Sequence, residues 1–205
     1  MGRYISAILF SVLLFFAVST VNASITSWTC GDDGDHAIVM SSPTWAEVDE
    51  EYQLSMNCTQ NWFPGHLQGD FITDTPTDPT VRILEDISND TTFAWTDYHI
   101  TIGMTQSFSI LSTGLTAPAG WAASVIAPVA GILPNTNNVA GYVGTINYVN
   151  ATGSPIAIGY DDIFGFKISF LGSTNFTTQQ VPTPEPATIG LLGLGAMALL
   201  RRRKA

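Results

Sequence analysis

Residues 163–171 read IFGFKISFL. Phe164, Phe166, Ile168 and Phe170 fall in one alternate set, and Gly165, Lys167, Ser169 and Leu171 in the other. A period of two marks a strand with one buried and one wet face. Residues 98–102, YHITI, repeat the pattern with Tyr98, Ile100 and Ile102. Further β-branched and aromatic runs predict strands over 25–29, 37–40, 51–58, 80–86, 92–103, 107–112, 121–126, 139–149 and 156–159. Turn residues separate these runs, and the prolines of TDTPTDPT (73–80) predict a loop. About ten short strands without a helical period predict an all-β domain. The expected form is a single antiparallel β-sandwich, jelly-roll-like, with a closed barrel as the alternative.

Both ends of the chain break this pattern. Residues 1–23 carry Arg3, then an apolar stretch over 5–18, then Val21-Asn22-Ala23. That is the layout of a secretory signal peptide, with the cut between Ala23 and Ser24. At the other end, residues 187–200 read ATIGLLGLGAMALL, fourteen residues without a charge. As a helix this segment would span ~21 Å against ~30 Å of hydrocarbon, short for a permanent anchor. Pro182, Pro184 and Pro186 precede it as an extended joint, and Arg201, Arg202, Arg203 and Lys204 follow as a basic stop. The expected organisation is a signal peptide over 1–23, an exported domain over 24–180 and a tail over 181–205.

Removing the ends exposes a charge asymmetry. All seventeen Asp and Glu lie between Asp32 and Glu185, and the same stretch has only Arg82 and Lys167 as cations. The exported domain is therefore far more acidic than the whole-chain net charge of −10 suggests. Phosphate binding needs Lys and Arg, so nucleic acid is a poor partner. Divalent cations and neutral polymers are compatible ones. The two cysteines, Cys30 and Cys58, enter an oxidising compartment and are expected to pair, a bridge worth ~3 kcal/mol.

Candidate chemistry is sparse. The turn GDDGDH (31–36) gathers Asp32, Asp33 and Asp35 around Gly34, oxygen ligands that could take Ca²⁺. It lacks the spacing and the distal Glu of an EF-hand, and the plain alternative is an acidic turn that caps its own backbone. No cofactor is otherwise called for. Asp97 and His99 share a strand face, as an acid–imidazole pair for base catalysis would, but no nucleophile accompanies them. The alternative is a hydrogen-bonded pair on a strand that buries Trp95. Of five tryptophans, Trp62 in NWFPGH (61–66) is the best placed to stack on a sugar; the alternative is core packing.

The tail resembles a known signal. Pro184-Glu185-Pro186, a glycine-rich apolar segment and a terminal arginine cluster, in that order, resemble a PEP-CTERM sorting signal. The resemblance covers roughly the last 25 residues and leaves the central domain unassigned. It implies recognition by an exosortase, a membrane-embedded processing enzyme, in a bacterium that makes extracellular polysaccharide. Transient inner-membrane anchoring through the tail would then precede release to the envelope, surface or matrix. The leading expectation is a non-enzymatic envelope or matrix protein. Alternatives are a carbohydrate- or calcium-dependent adhesion module and a polysaccharide-acting enzyme, which would need two carboxylates ~5–10 Å apart across a groove.

Overall fold

The computed structural model describes residues 24–48, 51–75 and 79–184. Ala23 and the expected signal peptide, Glu185 and Pro186, the apolar segment 187–200 and the basic end 201–204 lie outside the described residues. The described residues form eleven strands: β1 (Ile25–Asp32), β2 (Ile38–Val48), β3 (Glu51–Gln60), β4 (Gly65–Thr73), β5 (Thr80–Asn89), β6 (Trp95–Met104), β7 (Phe108–Thr116), β8 (Trp121–Ile132), β9 (Ala140–Asn150), β10 (Asp161–Phe170) and β11 (Thr174–Pro184). One sheet has the order β1-β4-β11-β6-β9-β8 and the other β2-β3-β5-β10-β7. Both orders are open, so the fold is a two-sheet sandwich and the barrel alternative is set aside.

Alternation placed the core correctly. Phe164, Phe166, Ile168 and Phe170 of β10 and Tyr98, Ile100 and Ile102 of β6 are all buried. Rings join the layers: Phe71 of β4 stacks on Phe170 of β10 at 5.2 Å, and Tyr98 of β6 stacks on Phe164 of β10 at 4.6 Å. Such contacts add to the burial of apolar area that holds the sheets together.

Three expectations change. First, β3 and β5 pair in parallel, with Tyr52 opposite Val81 and Gln60 opposite Asn89. The chain leaves β3, returns through β4 in the opposite sheet, and re-enters beside β3 in the same direction. A purely antiparallel jelly roll does not accommodate that pair. Second, β4 and β11 were not foreseen. In GHLQGDFIT the alternation is broken by Gly69 and Asp70, and β11 is rich in Thr, Asn and Gln; both are interior strands whose pairing overrides weak local preference. Third, residues 156–159 contribute a single bridge, Ile156 to Trp95, instead of a strand.

The prolines follow a rule that the sequence alone did not give. Pro43 and Pro128 lie on edge strands β2 and β8, each inside a register shift. Pro182 and Pro184 extend β11 past the boundary expected at 180, pairing with Tyr98 and Trp95 of β6. Pairing of β11 with β4 stops at Gln180, so among the described residues β11 has a strand on one side only where the prolines occur, and a proline nitrogen facing the other side costs no ladder bond. Truncation after Pro184 is therefore expected to leave the melting temperature of the domain nearly unchanged. Truncation after Gln180 removes Val181 to Pro184 from β6 and should lower it by several degrees; equal melting temperatures would show that this pairing contributes nothing.

Candidate functional site

The acidic turn folds by its own hydrogen bonds. Gly34 and His36 adopt positive φ, 80° and 66°, which glycine allows freely and histidine more often than most residues. Asp32 is spent on the backbone: its carboxylate accepts from Gly34 N at 3.0 Å and from Met40 N at 3.1 Å. Asp33 Oδ1 accepts from Asp35 N at 3.2 Å, and Asp35 Oδ1 from Ala37 N at 2.7 Å. The expected trio of Asp32, Asp33 and Asp35 is thereby split. Asp32 caps backbone, as the plain alternative had it, while Asp33 and Asp35 turn toward a residue from elsewhere.

That residue is His66, near the start of β4. β1 pairs with β4, setting Asp32 opposite Leu67, so the turn that follows Asp32 lies against His66. One ligand atom from each of Asp33, Asp35 and His66 lies within 4.8 Å of the others. His66 is only 8% exposed, and its Nδ1 lies 3.2 Å from Asp33 Oδ2 without making a hydrogen bond. Its Nε2 is 3.5 Å from Nε2 of Gln179, which β11 sets opposite His66. Asn135, from the β8–β9 connection, donates to Asp33 Oδ2 at 2.8 Å. Burial pushes the Asp33 carboxyl up. Hydrogen bonds with the Asp35 backbone and side chain, the charge of the His66 imidazole and a hydrogen bond from the Asn135 amide outweigh it and hold the group below its ordinary value. His66 was legible only as part of NWFPGH; nothing local links it to Asp33.

Trp62 and Phe63, on the β3–β4 connection, are 50% and 46% exposed. Their loop is tied to the same turn, since Trp62 N donates to Ala37 O at 3.2 Å and Asn61 Nδ2 to His36 O at 2.9 Å. Trp95 and Trp121 are core residues, and Trp28 and Trp45 stack on each other at 5.5 Å. Of the five, Trp62 is thus the ring turned to solvent.

The other sequence candidates are dispersed. His99 Nδ1 meets Asn147 Oδ1 at 2.8 Å across the β6–β9 pair, which replaces the expected bond to Asp97. Cys30 and Cys58 are free thiols, a correction to the expected bridge. Cys30 Sγ lies 3.6 Å from Met40 Sδ, and Met40, not Cys30, is the cross-strand neighbour of Cys58. Burial pushes both thiols up, Cys30 to about 12, so neither is a ready nucleophile. A groove of about 440 Å³ over β1, β4 and β11 has Asp32 and Asp70 among its lining residues. Asp70 is bonded to Thr29 and Asn175, and Asp32 to backbone, so these two carboxylates are already committed.

A buried polar network was missed. Glu85 sits in the inward row of β5 with Ile83 and Ile87 and is 1% exposed. Gln180 Nε2 donates to Glu85 Oε2 at 2.8 Å, and the Tyr98 hydroxyl lies 2.6 Å from Gln180 Oε1 and 3.1 Å from Gln60 Oε1. Burial pushes the Glu85 carboxyl up to about 8, against a smaller opposing effect of the Gln180 bond. Parity with Ile83 and Ile87 was the available signal.

No curated protein and no solved structure matches the chain. One family does: the PEP-CTERM protein-sorting motif matches residues 182–204. The match begins inside β11, whose last residues Pro182, Thr183 and Pro184 pair with β6, and it then runs through the segment that follows the sandwich. The chain therefore carries a PEP-CTERM protein-sorting motif, the signal of an exported protein directed to an exosortase, joined without a spacer to the last strand of an all-β sandwich.

Proposed function

We propose that this chain is a non-enzymatic protein of a bacterial envelope or extracellular matrix, exported through its N-terminal signal and cut by an exosortase at its tail. The observation that carries the reading is the continuity of β11 with the sorting motif. With Pro184 still paired to Trp95, the first motif residue beyond the sandwich is Glu185. A protease at the membrane surface then meets the domain already folded, and cutting near Pro184-Glu185-Pro186 leaves the sandwich whole. The commitment of Asp32, Asp70, Glu85 and His99 to structural hydrogen bonds favours a role without catalysis. Expression with the exosortase present should yield a mature mass lacking 187–205. Without the enzyme, the tail should remain. A product that keeps 187–205 in both cases would sink the processing reading.

Trp62 and Phe63 favour a second reading, a carbohydrate-binding module. Two exposed neighbouring rings on one loop are a stacking platform of the kind that takes a sugar face. A glycan array run with the intact chain tests it. Binding that falls tenfold or more in Trp62→Ala, at an unchanged melting temperature, is the expected outcome; no binding to any extracellular polysaccharide counts against the module.

A further inference from the structure

We propose that Asp33, Asp35 and His66 form a binding site for a divalent transition-metal ion of the zinc class. Two independent features meet there. Two carboxylates of one turn converge on the same point, and a histidine from a different element is aimed at them.

The histidine is the more informative. A buried imidazole nitrogen without a hydrogen bond is unfavourable, since it has lost water and gained no partner. His66 Nδ1 is buried and makes no hydrogen bond, its one polar neighbour being the ion-pair contact to Asp33 Oδ2 at 3.2 Å, on a residue 8% exposed. A metal ion between Nδ1 and the two carboxylates gives the nitrogen a partner and neutralises two acids held close together. The remaining ring nitrogen also has a neighbour. With Nδ1 on the metal, Nε2 carries the proton, and turning the Gln179 amide over presents its oxygen as the acceptor, the usual second bond of a metal-bound histidine. Asn135 and Ala37 N orient the two carboxylates and leave lone pairs on each for coordination.

The donor set selects the ion. Ca²⁺ takes six to eight oxygen ligands, and here the third ligand is nitrogen while Asp32 is occupied. One imidazole and two carboxylates suit Zn²⁺ or a neighbouring first-row ion at ~2.0–2.2 Å, with a fourth position for water or a ligand. Atoms within 4.8 Å of one another need a modest contraction to reach that geometry, and Asp35, exposed on its turn, is free to make it. The ion would fasten the β1–β2 turn to the start of β4, next to the loop that displays Trp62. The proposal departs from the ion read from the turn alone: the same two aspartates serve, with His66 in place of Asp32 and zinc in place of calcium.

The test uses the untagged, chelator-stripped protein. Zn²⁺ affinity is read by competition with a chromophoric chelator, and Co²⁺ is added as a visible-spectrum reporter of the ligand set. The expected result is one Zn²⁺ per chain at micromolar or tighter affinity, a raised melting temperature on saturation, and Co²⁺ bands of a low-coordinate nitrogen–oxygen site. His66→Gln and Asp33→Asn should each weaken binding a hundredfold or more, while His36→Gln, in the same turn but outside the cluster, should not. If His66→Gln fails to fold, the exposed Asp35→Asn tests the same ligand set and should weaken binding at least tenfold. No stoichiometric Zn²⁺ or Co²⁺ uptake, uptake unchanged by Asp33→Asn and Asp35→Asn, or tighter binding of Ca²⁺ than Zn²⁺ would each overturn the proposal.

Discussion

Replacing Glu85 by glutamine is expected to stabilise the domain at pH 8 by a few kcal/mol and to flatten its stability between about pH 4.5 and 8. The cause is the burial of a carboxyl among apolar neighbours. Its ordinary value is 4.5 and the folded protein lifts it to about 8. Below 4.5 the group is protonated in both states, and its contribution to stability is fully present. As pH rises, the unfolded chain releases the proton while the folded chain keeps it, so stability falls by up to about 1.4 kcal/mol per pH unit. Above about 8 the folded group ionises as well and the loss saturates. Glutamine has the same shape, still offers an oxygen to Gln180 Nε2, and does not titrate. Urea denaturation at pH 5, 6.5 and 8 measures the effect. The slope that survives in Glu85→Gln would include Asp86, which burial and the neighbouring Asp161 and Asp162 also push up. Identical slopes in the two proteins would contradict the placement of Glu85.

Asn89→Ala is expected to destabilise the domain by about 2–4 kcal/mol, a large share of the stability of a typical domain. Asn89 is fully buried at the end of β5. Its amide donates to Phe93 O at 3.0 Å and to Ile156 O at 2.9 Å, and its oxygen accepts from Thr91 N at 3.0 Å and Thr91 Oγ1 at 2.6 Å. Thr91 Oγ1 in turn accepts from Trp95 Nε1 at 2.9 Å, which fixes the indole that fills this end of the core. Alanine leaves the buried Thr91 N–H without an acceptor and opens a void under Trp95. Ile156 O keeps Trp95 N as a donor, and the Thr91 hydroxyl released from Asn89 is within reach of Phe93 O, which bounds the loss. Equilibrium urea unfolding with an unchanged m-value is the measurement, and a change below 1 kcal/mol would show that this hub is dispensable. The residue types crowded into NDTTFAW look chemical in sequence; their hydrogen bonds make them the corner that turns β5 into β6.

The paired Asp97–His99 and the turn at 31–36 had the same ambiguity, and geometry resolved them in different ways. His99 bonds across the sheet to Asn147, a partner that no sequence spacing announces. The turn kept two of its three aspartates as candidate ligands, because Gly34 and His36 curl the chain while Asp32 is drawn back to Gly34 and Met40. Cys30 and Cys58 illustrate the limit of counting: two thiols in an exported chain suggest a bridge, but the strands set Met40 opposite Cys58.

What is local and linear was legible in the order of residues. Alternation over 163–171 and 98–102 identified strands and their inner faces, because side-chain parity along a strand depends only on the strand. The tail was readable for the same reason: an order of prolines, apolar residues and arginines is a property of a string, and the sorting motif matches it at 182–204. The rest depends on which strands become neighbours in space. That includes the parallel β3–β5 pair, the interior places of β4 and β11, the extension of β11 to Pro184, the burial of Glu85 between two sheets and the meeting of His66 with Asp33 and Asp35. Each of these joins residues far apart in the chain, and the energies that select them, desolvation and pairing across sheets, are set by partners the local sequence does not contain.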